Sequence, residues 1–270
     1  MGNLETIGII GGGQMGEALL RGMLEAGLVD RDRVMVAEPF ADRREWLRST
    51  YGVAVTDRES ELCEKAKILI LAVKPQVMSR VLAGYRRYVG AGHLVISIAA
   101  GVPIAALEKG LGGEKRIVRV MPNTPALVLA GASALSGNSR VSGEDMAAAE
   151  QIFSAVGTCV RLPESLLDAV TGLSGSGPGY VFTFMEAMVD GGVLAGLPRP
   201  VAEQLVLQTV YGSARLAMET GEPLAVLRGR VTSPGGTTIT GIQVLEEAGL
   251  RGTVMTAIEA ATDRSRDLGS

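Results

Sequence analysis

A cluster of glycines near the start constrains this chain more than any other stretch. Residues 6–10 form a short apolar run, Gly11-Gly12-Gly13-Gln14-Met15-Gly16 follows, and apolar positions then recur at Ala18, Leu19, Gly22, Met23 and Ala26 with helical spacing. A strand that runs through G-x-G-x-x-G into a helix is the context of a dinucleotide-binding βαβ unit. In that unit Gly11 permits the tight turn, Gly13 lets the backbone approach a pyrophosphate, and Gly16 lets helix and strand pack closely. A tight turn with no ligand is the plainer alternative, and the motif's place at the head of an α/β pattern weighs against it.

The alternation continues downstream. Residues 33–37 read as a second strand ending at Glu38, about twenty residues past the loop, where an acidic side chain accepts from a ribose 2′-hydroxyl. That favours NADH, but Arg43 and Arg44 follow and are able to pair with a 2′-phosphate, so NADPH and NADH both stay open. Residues 57–65 read as a helix and residues 68–73 as a buried parallel strand that ends in Lys74-Pro75. Ligands lie beyond the carboxyl ends of such strands, which places Ala72, Val73, Lys74 and Pro75 in a cofactor cleft. The strand at 94–98 ends in Ala99, Ala100 and Gly101, small enough for a flat ring to approach. The strand at 117–121 ends in Pro122-Asn123-Thr124-Pro125, a stiff loop whose Asn123 and Thr124 offer hydrogen bonds to a carboxamide.

Beyond residue 162 the character changes to long helical segments separated by Gly/Pro breaks such as Gly196-Leu197-Pro198 and Gly221-Glu222-Pro223. The chain's 270 residues fit two domains, placed at 1–162 and 163–270. Several of the later helices are apolar around much of their circumference, as at Val193-Leu194-Ala195 and Leu205-Val206-Leu207, and a second subunit would cover them. A formal charge of -3 gives no general attraction to nucleic acid or anionic lipid. The longest uncharged run, 120–139, is broken by Pro122, Asn123 and Pro125 and makes a poor membrane span. The first five residues carry no basic and apolar leader, so the cytoplasm is the expected compartment. Cys63 and Cys159 match no metal or redox spacing, and His93 has no catalytic motif around it.

One further stretch calls for chemistry. In Val231-Thr232-Ser233-Pro234-Gly235-Gly236-Thr237-Thr238-Ile239-Thr240-Gly241, Ser233 suits a helix cap, Pro234 the first helical position, and the two glycines leave backbone N–H groups bare. A small carboxylate would sit on such a helix start.

Together these features make the chain resemble pyrroline-5-carboxylate reductase along essentially its whole length. The most specific match spans residues 227–246. Ala72-Val73-Lys74-Pro75, Ala99-Ala100-Gly101, Met121-Pro122-Asn123-Thr124-Pro125 and Gly172-Leu173-Ser174-Gly175-Ser176-Gly177-Pro178 occur in the family's order. The resemblance implies an α/β fold: an amino-terminal Rossmann-like doubly wound sheet, then an all-helical dimerisation domain. It implies hydride transfer from NADPH or NADH to 1-pyrroline-5-carboxylate, giving L-proline. It implicates Ile9, Ile10, Gly11, Gly12, Gly13, Gln14, Met15, Gly16, Glu38, Ala72–75, Ala99, Ala100, Gly101 and Asn123 with the cofactor. The substrate carboxylate would accept from the N–H groups of Gly236 and Thr237, with Glu164 and Ser233 as further contacts and Thr238 as the one catalytic side chain. A homodimer is implied, and five dimers in a decamer often follow. Two positions depart from the family: Glu38 stands where NADPH-preferring members have a small polar residue, and Gly179 replaces an alanine.

Two rivals share the amino-terminal half. One is another two-domain reductase of the β-hydroxyacid dehydrogenase or imine reductase type; those that oxidise alcohols need a side-chain base, usually a lysine on the helices, yet residues 165–227 contain no lysine. A dinucleotide-binding regulator without turnover would have no use for a carboxylate receptor.

Overall fold

The computed structural model describes residues 4–269, so the leader expectation for the first residues lies partly outside the described part. Tertiary contacts divide the chain into two units, one built from residues up to 176 together with 260 onward, the other from 177–259.

The first unit carries an eight-stranded sheet among the described residues, with the strand order β3-β2-β1-β4-β5-β6-β7-β8. The strands are β1 (Ile7–Ile10), β2 (Val34–Ala37), β3 (Ala54–Thr56), β4 (Ile68–Leu71), β5 (Leu94–Ser97), β6 (Arg116–Met121), β7 (Gly131–Gly137) and β8 (Gly157–Arg161). Pairing is parallel through β6; β7 then runs antiparallel to β6, and β8 runs parallel to β7. The direction of winding reverses between β1 and β4, which opens a crevice at their carboxyl ends.

Side chains alternate along each strand and feed two cores. Ile7, Ile9, Val34, Val36, Ile68 and Ile70 join one core with α1 (Gln14–Glu25) and, further along the sheet, α6 (Gly143–Ser154). Ile10, Met35, Leu69 and Leu71 join the other, with α3 (Glu59–Lys65), α4 (Met78–Tyr85) and α5 (Ile104–Leu111). α2 (Ala41–Tyr51) contributes Leu47 to the first core. Strands buried on both faces explain the continuous apolar runs at 68–71 and 94–96.

β3, β7 and β8 are not evident from the sequence. β3 has three residues, and β7 is built of small side chains with low strand preference. The structure supplies the reason for the small residues. A Cβ on Gly131 would stand 2.9 Å from Ala126 Cβ, and one on Gly157, whose φ is +148°, would stand 2.0 Å from Gly131 O.

By contacts the units part at 176/177, whereas the domain boundary read from the sequence lies at 162/163. Residues 163–176, including the short α7 (Leu167–Val170), stay on the first unit through polar contacts to α5 and β6 described below. Thr171–Gly175 then form a π-helical turn, closed by the Ser176 N–H donating to Thr171 O at 2.8 Å.

The second unit holds α8 (Gly177–Leu194), α9 (Arg199–Thr220), α10 (Leu224–Arg230), α11 (Thr237–Glu247) and the first half of α12 (Leu250–Gly269). Its buried core is small: Val189, Ala202 and Val206, with Met185, Met188, Val193 and Val210 packed around them between α8 and α9. Leu194 is 91% exposed and Met218 76%. Apolar area on that scale is what an interface covers. Among the described residues no helix is long and apolar enough to cross a membrane.

Candidate active site

The glycine loop between β1 and α1 has the geometry that its sequence predicts. Gly11 adopts φ +104° and donates its N–H to Ala37 O at 2.8 Å; a Cβ there would press on Ala72 O at 2.6 Å. A Cβ on Gly16 would lie 2.2 Å from Gly11 O, so helix and loop are as close as two backbones allow. Gly13, the N-cap of α1, has no atom within 4 Å of the space its Cβ would fill. The first-turn N–H groups of α1 have no intrahelical acceptors and face an open approach, which fits a pyrophosphate. Gln14 is exposed and Met15 half-buried at this helix start, whereas Ile9 and Ile10 are core side chains that offer the site only backbone.

Glu38, at the end of β2, is 7% exposed and clamped by backbone. Its Oε2 accepts from the Gly12 N–H at 2.9 Å and its Oε1 from the Phe40 N–H at 3.1 Å. Arg43 donates to Gly12 O at 2.6 Å, pairs with Glu17 and lies 4.3 Å over the Trp46 ring. Arg44 donates to Glu38 O and Pro39 O at 2.7 and 2.8 Å and pairs with Asp57 at 3.1 Å.

Ala72, Val73, Lys74 and Pro75 leave β4 beside the loop. The Ala72 N–H donates to Ile10 O at 2.8 Å, Lys74 is exposed, and Pro75 starts a 3-10 turn into α4. Gly101, with φ +71°, faces the carboxyl end of α12, where a Cβ would meet Leu268 Cβ at 3.2 Å. Ala99 and Ala100 keep their places at the end of β5. Asn123 uses both ends of its side-chain amide inside the protein. Its Oδ1 accepts from the Ala132 N–H at 2.8 Å, and its Nδ2 donates to Ser174 O at 3.1 Å. This residue stitches the loop after β6 to β7 and to the π-turn.

Glu164 accepts the Ile104 N–H at the start of α5 at 2.7 Å and pairs with Arg119 at 3.1 Å. Arg119 is buried on β6 and also lies 3.5 Å from Asp168, which accepts from the Ser265 hydroxyl at 2.7 Å. Sequence reading missed Arg119, Asp168 and Ser265. The signal was a cation inside the apolar strand Arg116–Met121, since a buried charge demands a partner. His93 is structural: its Nδ1 accepts from the Gly90 N–H at 2.9 Å, and its Nε2 is 2.9 Å from Cys63 O. Burial, with Glu59 nearby, pushes the Cys63 thiol up to about 12, so it stays protonated.

In the second unit the helix of the expected carboxylate receptor starts later than the sequence reading places it. Ser233-Pro234-Gly235-Gly236 make a tight turn in which Gly235 has φ +66° and the Gly236 N–H donates to Ser233 O at 3.1 Å. Proline at the second place and a positive φ at the third are the marks of a type II turn. Ser233 therefore does not cap the helix; Gly236 is the N-cap, and α11 begins at Thr237. A Cβ on Gly236 would strike Ser233 Oγ at 2.2 Å. The Gly236 N–H is spent on the turn, so the open donors at this helix start are those of Thr237, Thr238 and Ile239. The Thr238 side chain is half-buried, and its hydroxyl has no hydrogen-bond partner among the described residues.

Comparisons with known proteins agree with this two-part layout. Residues 164–268 match the family model described as pyrroline-5-carboxylate reductase dimerisation, and residues 6–101 match that described as NADP oxidoreductase, coenzyme F420-dependent. The pyrroline-5-carboxylate reductase of Synechocystis sp. is 49% identical over 97% of this chain and 98% of its own length. The solved structure of a pyrroline-5-carboxylate reductase from Coxiella burnetii is 38% identical and superposes with a TM-score of 0.95 over 99% of this chain and all of that one. A Plasmodium falciparum pyrroline carboxylate reductase with NADP bound is 35% identical, with a TM-score of 0.88 over the full length of both chains.

Proposed function

The chain belongs to the pyrroline-5-carboxylate reductase family, NAD(P)H-dependent oxidoreductases that make L-proline from 1-pyrroline-5-carboxylate, and we propose that it carries out this reduction by orientation, with Thr238 as its catalytic side chain. The observation that carries the reading is the start of α11, where open N–H donors stand beside an unpartnered threonine hydroxyl.

The N–H groups of Thr237 and Thr238 hold the substrate carboxylate, helped by the positive end of the helix dipole. Gly236 keeps that mouth clear of side chain, and Ser233 closes the turn behind it. The Thr238 hydroxyl faces the ring nitrogen and steadies its proton. In the first unit, Gly11, Gly12, Gly13 and Gly16 with the first turn of α1 take the pyrophosphate, Glu38 the adenosine ribose, and Ala72, Val73, Lys74, Pro75, Ala99 and Ala100 the remainder of the dinucleotide. When bound, the reduced nicotinamide supplies the hydride that converts the imine carbon to a secondary amine. A protonated cyclic imine is already electrophilic, so no strong buried acid is required, which agrees with the structural engagement of His93 and the high pKa of Cys63. Glu164 serves the site through Arg119 and the start of α5.

The exposed apolar helices of the second unit support a homodimer, with assembly of dimers into a decamer as the larger form. A cytoplasmic location completes the reading, and the free thiols of Cys63 and Cys159 are in keeping with a reducing compartment.

The test is kinetic. Thr238→Ala should lower kcat with 1-pyrroline-5-carboxylate by roughly ten- to a thousandfold, the range for one lost transition-state hydrogen bond. Dinucleotide affinity and melting temperature should stay near wild type. Unchanged turnover would remove Thr238 from the mechanism.

A further inference from the structure

Neither family membership nor the NADP-bound relative says which dinucleotide this chain selects, and we infer that Glu38 makes it selective for NADH over NADPH. The inference rests on the reading that the β1–α1 loop holds a dinucleotide. Four observations carry it.

First, Glu38 sits at the carboxyl end of β2, where an acidic residue meets the adenosine ribose. Second, it cannot swing aside. Its two oxygens accept from the N–H groups of Gly12 and Phe40 at 2.9 and 3.1 Å, so the carboxylate is fixed against the same loop that takes the pyrophosphate. Each oxygen keeps a further lone pair, enough to accept from the two ribose hydroxyls. Third, the cations that a 2′-phosphate would need are committed elsewhere. Arg43 is engaged by Gly12 O, Glu17 and the Trp46 face; Arg44 is engaged by two carbonyls and Asp57. Fourth, the local charge is unfavourable: Glu17, Glu38 and Asp57 against Arg43 and Arg44 leave one net negative charge before a dianionic phosphate arrives. Freeing either arginine would break an ion pair, and removing Glu38 from its place would strand the Gly12 N–H inside the fold.

The ribose hydroxyls therefore find two acceptors, whereas the 2′-phosphate meets a desolvated carboxylate at close quarters. Phe40, 73% exposed and two residues after Glu38, leaves a flat apolar surface for the adenine.

The experiment is titration of the full-length protein with NADH and with NADPH, followed by calorimetry at one fixed salt concentration, for wild type, Glu38→Gln and Glu38→Ser. Wild type should bind NADPH at least about tenfold more weakly than NADH, a modest figure for like charges held together. Glu38→Gln keeps an acceptor for the Gly12 N–H but removes the charge, so the affinity ratio should move toward NADPH by about tenfold, with Glu38→Ser moving at least as far. NADPH binding as tight as NADH in wild type would overturn the inference, as would variants that weaken both dinucleotides equally, which is what a purely structural Glu38 gives. Absence of binding by either dinucleotide would instead overturn the cofactor reading on which the inference stands.

Discussion

Two glycines three residues apart give opposite predictions when changed to alanine, and the structure provides the magnitudes. At Gly13 the backbone is extended, with φ −70° and ψ −175°, and no atom lies within 4 Å of the new Cβ. Alanine is a poorer N-cap than glycine by up to about 1 kcal/mol, and the stiffer unfolded chain returns about 0.4–1 kcal/mol. The sum is within about 0.5 kcal/mol, so the melting temperature should move by less than about 2 °C. The added methyl nevertheless stands where the pyrophosphate approaches. Losing one charge-assisted hydrogen bond to it costs about 1.5–3 kcal/mol, or about ten- to a hundredfold in dinucleotide Kd. At Gly16 the new Cβ meets Gly11 O at 2.2 Å and Ile9 Cγ2 at 3.3 Å, and a backbone carbonyl cannot rotate away. Overpacking of that kind costs about 1–3 kcal/mol, a fall of roughly 3–10 °C in melting temperature. Fluorescence titration with NADH and a thermal melt on both variants decide the matter. A Gly13→Ala protein that binds NADH as tightly as wild type would refute the placement of the pyrophosphate, and a Gly16→Ala protein of unchanged stability would refute the tight contact.

Arg119→Met should strand Glu164 and Asp168 beside each other. Glu164 keeps some solvent, so a loss of about 2–3 kcal/mol is expected in place of the full value of a buried pair, seen as a drop of about 5–10 °C; a change under about 2 °C would show that the cluster is idle. Tyr51 is a pH probe: burial and the hydrogen bond it donates to Glu17 at 2.7 Å push its phenol up to about 12. Unfolded tyrosine titrates near 10, so between about pH 10 and 12 the unfolded chain loses a proton that the folded one keeps, and stability falls as pH rises. The melting temperatures of wild type and Tyr51→Phe should run parallel below pH 10 and converge or cross above it; parallel curves to pH 12 would remove Tyr51 from the alkaline transition.

What could be read from the sequence was whatever one local segment specifies. The strand–loop–helix order around Gly11, Gly13 and Gly16 is legible because it is local: Gly11 takes a positive φ, Gly16 abuts Gly11 O, and Gly13 leaves the helix start open. The apolar runs at β4 and β5 are legible for the same reason: burial on both faces leaves no room for polar side chains. Features that depend on distant partners were not legible. The use of Asn123 by Ala132 and Ser174, and the covering of Gly101 by Leu268, join residues far apart in the chain. The helix start at 233–238 shows a subtler failure. Ser-Pro suits both a cap and a tight turn, and the positive φ of Gly235 decides for the turn, which moves the first helical residue to Thr237.

The central claim is that a small carboxylate is held at the start of α11, with its ring against Thr238. A crystal structure of the protein with NAD+ and L-proline tests this directly. The account predicts the proline carboxylate about 3 Å from the N–H groups of Thr237 and Thr238, with the ring nitrogen at the Thr238 hydroxyl. Proline bound away from residues 233–238, with those N–H groups facing only water, would contradict it.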